Sequence, residues 1–298
     1  MMQNVKENIY EKLLLLCASS SVAVLLLIVI FISFCGFPII MEIGLKEFVF
    51  GITWEPSLRS FGILPMLEGT IITTFGALII SVPLSVFTAI FLAEFAPLKI
   101  AKIISQAVEL LAGIPSVIYG LFGMTMIIPV IQVVEKKFFT HKASSQPQSG
   151  YGILAVVIIL SIMIAPTIIN ISKDALKSVP QELKEGSLAL GATHWQTVEY
   201  IVVPSAKSGI LASVILGMGR AIGETMAVIM VAGNTVQLPK SIFSPVRTLT
   251  SNIAVEIAYA EAGAHTQALF ATGIVLFMLI IIINSIVICF MGKRAKLK

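Results

Sequence analysis

The chain has 298 residues, 57% of them hydrophobic and only 12% charged, with a mean hydropathy of +0.99. Soluble domains run at roughly 45–50% apolar and about 25% charged, so a soluble fold is excluded and an integral membrane protein indicated. The net charge of +4 comes from basic residues scattered at the ends of apolar runs, with no patch or aromatic-interleaved stripe of the kind that holds nucleic acid.

Lys6 and Lys12 precede an apolar run of 22 residues, Leu13 to Phe34. A signal-peptide core has roughly 7–15 residues, so this run is expected to be a retained anchor helix. Leu16 is too bulky for "LLLLC" to be a lipoprotein cleavage site, and the apolar stretch continues past Cys17. Cys17, Cys35 and Cys289 are odd in number and lack CxxC spacing, which argues against a disulfide framework.

A bilayer core needs about 20 apolar residues per helix. Six spans are expected on that ruler, near 13–34, 70–93, 105–134, 152–172, 209–233 and 267–290. The third is over-long and interrupted by Gly113, Pro115, Gly120 and Gly123, so it is expected to bend or to lie partly at the interface. With the N-terminus inside, the inner side collects twelve Lys and Arg and the outer side seven, which predicts both termini in the cytoplasm. The remaining basic residue, Arg220, falls within the membrane. His141 to Gly150 is expected to be a solvated connector, and Trp54 and Tyr151 to anchor at the interfaces.

The largest inner segment reads "KSVPQELKEGSLALGATHWQTVEYIVVPSAKSG". Ser178 with Gln181 and Thr193 with Gln196 both have capping-box spacing, Pro180 suits a first helical turn, and Gly191 is a natural helix stop. Two short helices joined at Gly191 are predicted.

Arg220 lies about eleven residues into the fifth span, roughly 16 Å deep. Insertion scales put a central Arg or acidic residue at about 2.5–3.5 kcal/mol each, so Arg220 and Glu224 need partners, water or cargo. At a spacing of four they are expected to share one helix face. Two readings stand: an internal salt bridge, or an arginine facing a water-filled path whose planar guanidinium meets an oxyanion while Glu224 holds the empty fork. Gly217, Gly219 and Gly223 leave space beside the pair. The hydroxyls of Ser116 and Tyr119 line the path or serve packing.

Signs of covalent chemistry are missing from the sequence. Asp174 is its only aspartate, His141, His194 and His265 form no HExxH pattern, and there is no GxSxG stretch. The only Gly-Lys, Gly292-Lys293, is followed by Arg294, so no P-loop is present.

Glu185, Gly191, Ile201 and Pro204 reproduce the spacing of the "EAA" loop, by which the segment resembles ABC importer permeases. Gly186 and Ser187 replace the two alanines of that pattern, and Val203 its leucine. "GTIITT" (Gly69 to Thr74), "GIPSVIYGLFG" (Gly113 to Gly123) and "GRAIGETMAVIMVAGN" (Gly219 to Asn234) are similar to the phosphate importer permeases of PstC type. Met226 and Ala227 after "GET" depart from the "GETAPL" of the sister PstA type.

The resemblance runs from about residue 60 to the end. It implies an all-α polytopic membrane protein of six transmembrane helices with the ABC importer permease (MetI-like) fold, in the bacterial cytoplasmic membrane. It implies residues 1–68 as anchor helix and outer segment, and 69–298 as the transmembrane domain with a coupling loop about 173–208. Arg220 and Glu224 then correspond to the charged pair of phosphate passage. Glu185, Gly191, Ile201 and Pro204 belong to the helix that docks on an ATPase. The implied partners are a homologous PstA-type permease, two cytoplasmic ATPases, an external phosphate-binding protein and membrane lipid, with no cofactor and no nucleic acid. One arginine leaves phosphonate or sulfate open as cargo, and a secondary anion transporter is the remaining alternative.

Overall fold

A computed structural model describes residues 2–138 and 149–295. Most of the expected connector, residues 141–148, and three of the counted lysines, Lys142, Lys296 and Lys298, lie outside the described residues. Five helices are long and apolar enough to cross a membrane: Tyr10–Ile43, Leu64–Phe95, Ser116–Lys137, Ile153–Lys177 and Ala264–Val287. Counting the bent pair His194–Ser205 and Lys207–Gly223, with 65° between its halves, as one span gives up to six crossings, and this one is the fifth in chain order. The described strands are two short ones, Trp54–Glu55 and Ser60–Phe61, paired antiparallel as a hairpin.

The first helix, Met2–Ile43, is longer than its apolar run because no breaker precedes Gly36 and Pro38. At Gly36 its backbone lies directly on the last span, where an added Cβ would stand 2.6 Å from the Ala271 nitrogen.

The third crossing departs from the single span expected at 105–134. Helix Leu98–Ala112 stops, Gly113 and Ile114 turn, and Pro115 starts a new helix at Ser116. Proline removes a backbone donor and pushes the residue before it out of the helical region, so the chain cannot run through. Tyr119 clamps the break, its hydroxyl donating to the Leu111 carbonyl at 2.7 Å. Leu111 lines one apolar crevice with Ile158, Ile162 and Pro166, which sets the break level with the middle of the fourth span.

The fourth span, Ile153–Lys177, is the most buried and organises the core. Helix Lys207–Gly223 packs on it through Gly209, Ser213 and Gly217, a small-residue ridge at spacings of four that lets the backbones approach. A Cβ on Gly209 would overlap Ala175, one on Gly217 would sit 2.8 Å from Ile168, and the Ser213 and Ser172 hydroxyls bond at 2.8 Å between them. The space expected at three glycines is therefore taken at Gly217. At Gly219 and Gly223 an added Cβ would meet nothing. Gly217→Leu is accordingly expected to destabilise the fold by about 1–3 kcal/mol through overpacking. Gly219→Ala should leave stability unchanged or raised, as thermal unfolding in detergent will register.

The hairpin end of the bundle carries its own small core. Trp54 meets Phe61 and His265 edge-on at 5.4 and 6.5 Å, so it belongs to an aromatic cluster. Tyr151 is half-buried and packs beside Gly233. Arg247 donates to the Asn234 carbonyl, Asn252 and Glu256, closing the segment after the fifth crossing. From there helix Leu249–Glu256 turns back into the bundle. Its capping box pairs Thr248 with Ser251, and its first amide donates to the Thr70 hydroxyl at 3.0 Å.

Candidate functional site

The fifth crossing decides the site's geometry. Its helix ends at Gly223, Glu224 is extended (φ −68°, ψ 130°), and a short helix, Met226–Val231, resumes the path. The expected uninterrupted span at 209–233 is thus two helices, and Arg220 and Glu224 do not share one helix face. Arg220 sits in the last turn of the first helix, where a cation meets the negative end of the helix dipole. Glu224 stands before the second helix, and its Oε1 accepts the Ala227 amide at 3.0 Å, where an anion is favoured. Each charge complements the end of a helix, so among the described residues no ion pair joins them. The salt-bridge reading and the picture of Glu224 holding an empty guanidinium are both corrected.

Arg220 turns to the fourth span and donates to the Thr167 hydroxyl at 3.2 Å. Thr167 follows Pro166, so the guanidinium lies near mid-bundle, level with the break at Gly113 to Pro115. Tyr119 is buried in the main core. Its hydroxyl is already committed to Leu111. Ser116 is half-buried at the start of the same short helix and hydrogen-bonds to neither charged residue. The Glu224 carbonyl accepts from Thr250 at 3.0 Å, tying the helix break to the re-entrant helix.

One side of this centre is open. Gly219 and Gly223 face empty space, Leu216 on the same helix face is exposed, Met226 beyond the break is exposed too, and Arg220 is only half-buried. A planar guanidinium fork at mid-bundle, with one neutral hydroxyl partner among the described residues and an open flank, is chemically suited to taking an oxyanion.

At the opposite end from the hairpin, the segment 178–206 forms the two predicted short helices. Gln181–Ala189 ends in a turn where Gly191 has φ +87°, and His194–Thr197 starts with the expected Thr193–Gln196 capping box. The expected Ser178–Gln181 box does not form. The fourth span runs on to Lys177, so Ser178 becomes its C-cap and donates to the Ala175 carbonyl, and Pro180 takes the next N-cap. Ser187 and Thr197 join the two helices at 3.0 Å. Glu185 and Gly191 are exposed, Ile201 is half-buried in a π turn, and Pro204 is exposed at the elbow before Lys207.

Glu94 and Thr167 were not anticipated. Glu94 binds Lys184 at 2.7 Å with side chains only 5% and 16% exposed, and its carbonyl meets the His194 ring at 3.1 Å. The neighbouring Phe95 packs on His194 and Trp195. A lone acid closing an apolar run just before Pro97 was the available signal. Thr167 carried none, since its role depends on Arg220, 53 positions away.

Residues 69–296 match the family described as binding-protein-dependent transport system inner membrane component. The chain belongs to that family. The permease is 38% identical over 243 residues to the phosphate transport system permease protein PstC of Mesorhizobium japonicum, covering 78% of this chain and 74% of the relative. It is 41% identical over 236 residues to the probable ABC transporter permease protein YqgH of Bacillus subtilis, covering 78% and 73%. A probable phosphate transport system permease protein PstC of Methanocaldococcus jannaschii is 32% identical, covering 88% and 86%. Among solved structures, a bacterial alginate ABC transporter matches with TM-score 0.62 at 17% identity over 94% of each chain. An inward-facing MetNI methionine ABC transporter matches with TM-score 0.54 at 20% identity, over 80% of this chain and 99% of that one. These two establish the shared all-α, MetI-like permease fold. The permease is thus a multi-pass membrane protein with a transport role, in a complex served by a substrate-binding protein.

Proposed function

We propose that this permease forms part of the phosphate path of an ATP-driven importer in the bacterial cytoplasmic membrane. The single observation that carries the reading is Arg220, held at mid-bundle by Thr167 beside an interrupted helix and open on one flank. The likeness to phosphate transport permeases supports phosphate as the anion.

In this reading the hairpin end faces outward and the segment around Gln181–Ala189 faces the cytoplasm, as do both termini. The chain divides functionally into an anchor and outer segment, 1–68, and the transport domain, 69–298, an assignment supported by the family match over 69–296. A homologous PstA-type permease covers the open flank at Gly219 and Gly223. An external phosphate-binding protein delivers the anion, and ATP hydrolysis takes place on two separate ATPase chains.

Glu185 and Gly191 belong to the docking element, and Ile201 and Pro204 to the elbow that passes its movement to Lys207–Gly223. The buried Glu94–Lys184 bond carries the same movement to the second span. Phosphate meets Arg220 at the helix break. Glu224 positions the second half-helix, Tyr119 clamps the neighbouring break, and Ser116 faces the path at its start.

The test is phosphate uptake into vesicles holding this chain with its partner permease, ATPases and binding protein. Uptake is expected to need both ATP and the binding protein, and to resist excess sulfate or phosphonate. Phosphate movement by the chain alone, driven by an ion gradient, would instead make it a secondary carrier.

A further inference from the structure

The fourth span carries a polar stripe that the path through Arg220 does not yet use. Thr167, Asn170, Asp174 and Lys177 fall at spacings of three, four and three, so they share one helix face. Their exposure rises toward the coupling end: Thr167 and Asn170 are half-buried, Asp174 and Lys177 exposed. Toward the hairpin end the same face is closed, because Met163 and Leu160, each 1% exposed, sit in the main core. The face is therefore sealed on one side of Thr167 and open on the other. Asn170 stands at the first open position.

Asn170 is also chemically unfinished. Its side chain is half-buried, and its Oδ1, closed in by protein as the amide now stands, has no hydrogen-bond partner among the described residues. An empty buried acceptor in a membrane helix is costly, which favours a group that visits it. It lies three positions beyond Thr167, about 4.5 Å of axial rise, which is close to the breadth of an oxyanion. Thr167 in turn holds Arg220. An anion on the guanidinium thus has an unpartnered amide one step nearer the coupling end, and a half-turn of that amide brings its Oδ1 to the open face.

We propose that Asn170 is a second cargo contact, receiving phosphate as it leaves Arg220 on the release side of the seal. Near neutral pH phosphate retains a P–OH group, which donates to Asn170 Oδ1 while the charged oxygens remain on Arg220. Arg220 alone would grip the anion. A shared anion is handed on in two smaller steps, each breaking fewer hydrogen bonds at once. This role rests on the phosphate reading above.

The test compares wild type, Asn170→Leu and Asn170→Thr in the assembled transporter, with Arg220→Gln alongside. Phosphate taken up per ATP hydrolysed is read together with subunit assembly. Leucine is well tolerated in a membrane helix but offers no acceptor, and threonine keeps one. Asn170→Leu should lower phosphate per ATP about tenfold with assembly and hydrolysis preserved, and Asn170→Thr should stay within about twofold of wild type. Asn170→Leu uptake within twofold of wild type, with Arg220→Gln inactive, overturns the role of Asn170 and leaves the Arg220 path standing. Equal losses in both Asn170 variants overturn it too, since that marks a packing requirement. Full uptake in Arg220→Gln as well would remove the underlying path reading.

Discussion

Arg220→Gln should abolish most phosphate uptake while the transporter still assembles and hydrolyses ATP. Among the described residues the guanidinium makes one hydrogen bond, to Thr167 at 3.2 Å, and no ion pair, so its loss removes little from the fold. What disappears is a charge-assisted, two-pronged contact to an anion. Such contacts are worth about 1.5–3 kcal/mol, so a fall of roughly 10- to 100-fold is expected. Arg220→Lys keeps the charge and loses the fork, and should fall between the two. Uptake within twofold of wild type in Arg220→Gln would make Arg220 a fastener of the fourth and fifth crossings. The path would then have to be sought elsewhere.

The second large effect is expected at the opposite end. Leu190 is 91% exposed at the turn between the two short helices, and further along the same segment Trp195 and Tyr200 are 55% and 67% exposed. An apolar tip of this kind, raised on a rigid element, has the character of an anchor residue for a partner. The element is rigid for identifiable reasons: the capping box at Thr193, the Ser187–Thr197 bond and the buried Glu94–Lys184 pair. Leu190→Asp should leave the permease folded, because the side chain supports nothing within the chain. ATPase capture should weaken by more than about tenfold, as for an anchor at an interface centre, and uptake should fall with it. Capture unchanged in a pull-down would place the docking contact away from this turn.

The two expectations draw on the sequence to different degrees. The helix-turn-helix at 181–197 was readable because its signals are local: Thr193 reaches an amide three residues away, and Gly191 is free to take a positive φ. Ser178 misled because two helices competed for it, and the end of the fourth span claimed it. The break at Gly113 to Pro115 was visible as composition, but its clamp by Tyr119 was not. At Glu224 nothing in the periodicity announces a break, since the residues on both sides are apolar enough to continue. The interruption is stabilised by contacts that arrive from far along the chain, including Thr250 on the Glu224 carbonyl.

By itself, then, the sequence determined that the chain crosses a membrane about six times, that two short capped helices lie between the fourth and fifth crossings and that one arginine falls within a span. These properties depend on burial of apolar runs and on capping within a few residues, so they survive without knowledge of the partners in space. The tertiary structure alone decided that Arg220 faces Thr167 instead of Glu224, that Glu94 meets Lys184, and that Asn170 stands at the inner edge of a sealed face. Those outcomes turn on which helix faces are pressed together. In a chain where nearly every face is apolar, hydrophobicity cannot choose among them. The choice falls to close packing at Gly209 and Gly217 and to a few hydrogen bonds between residues distant in sequence.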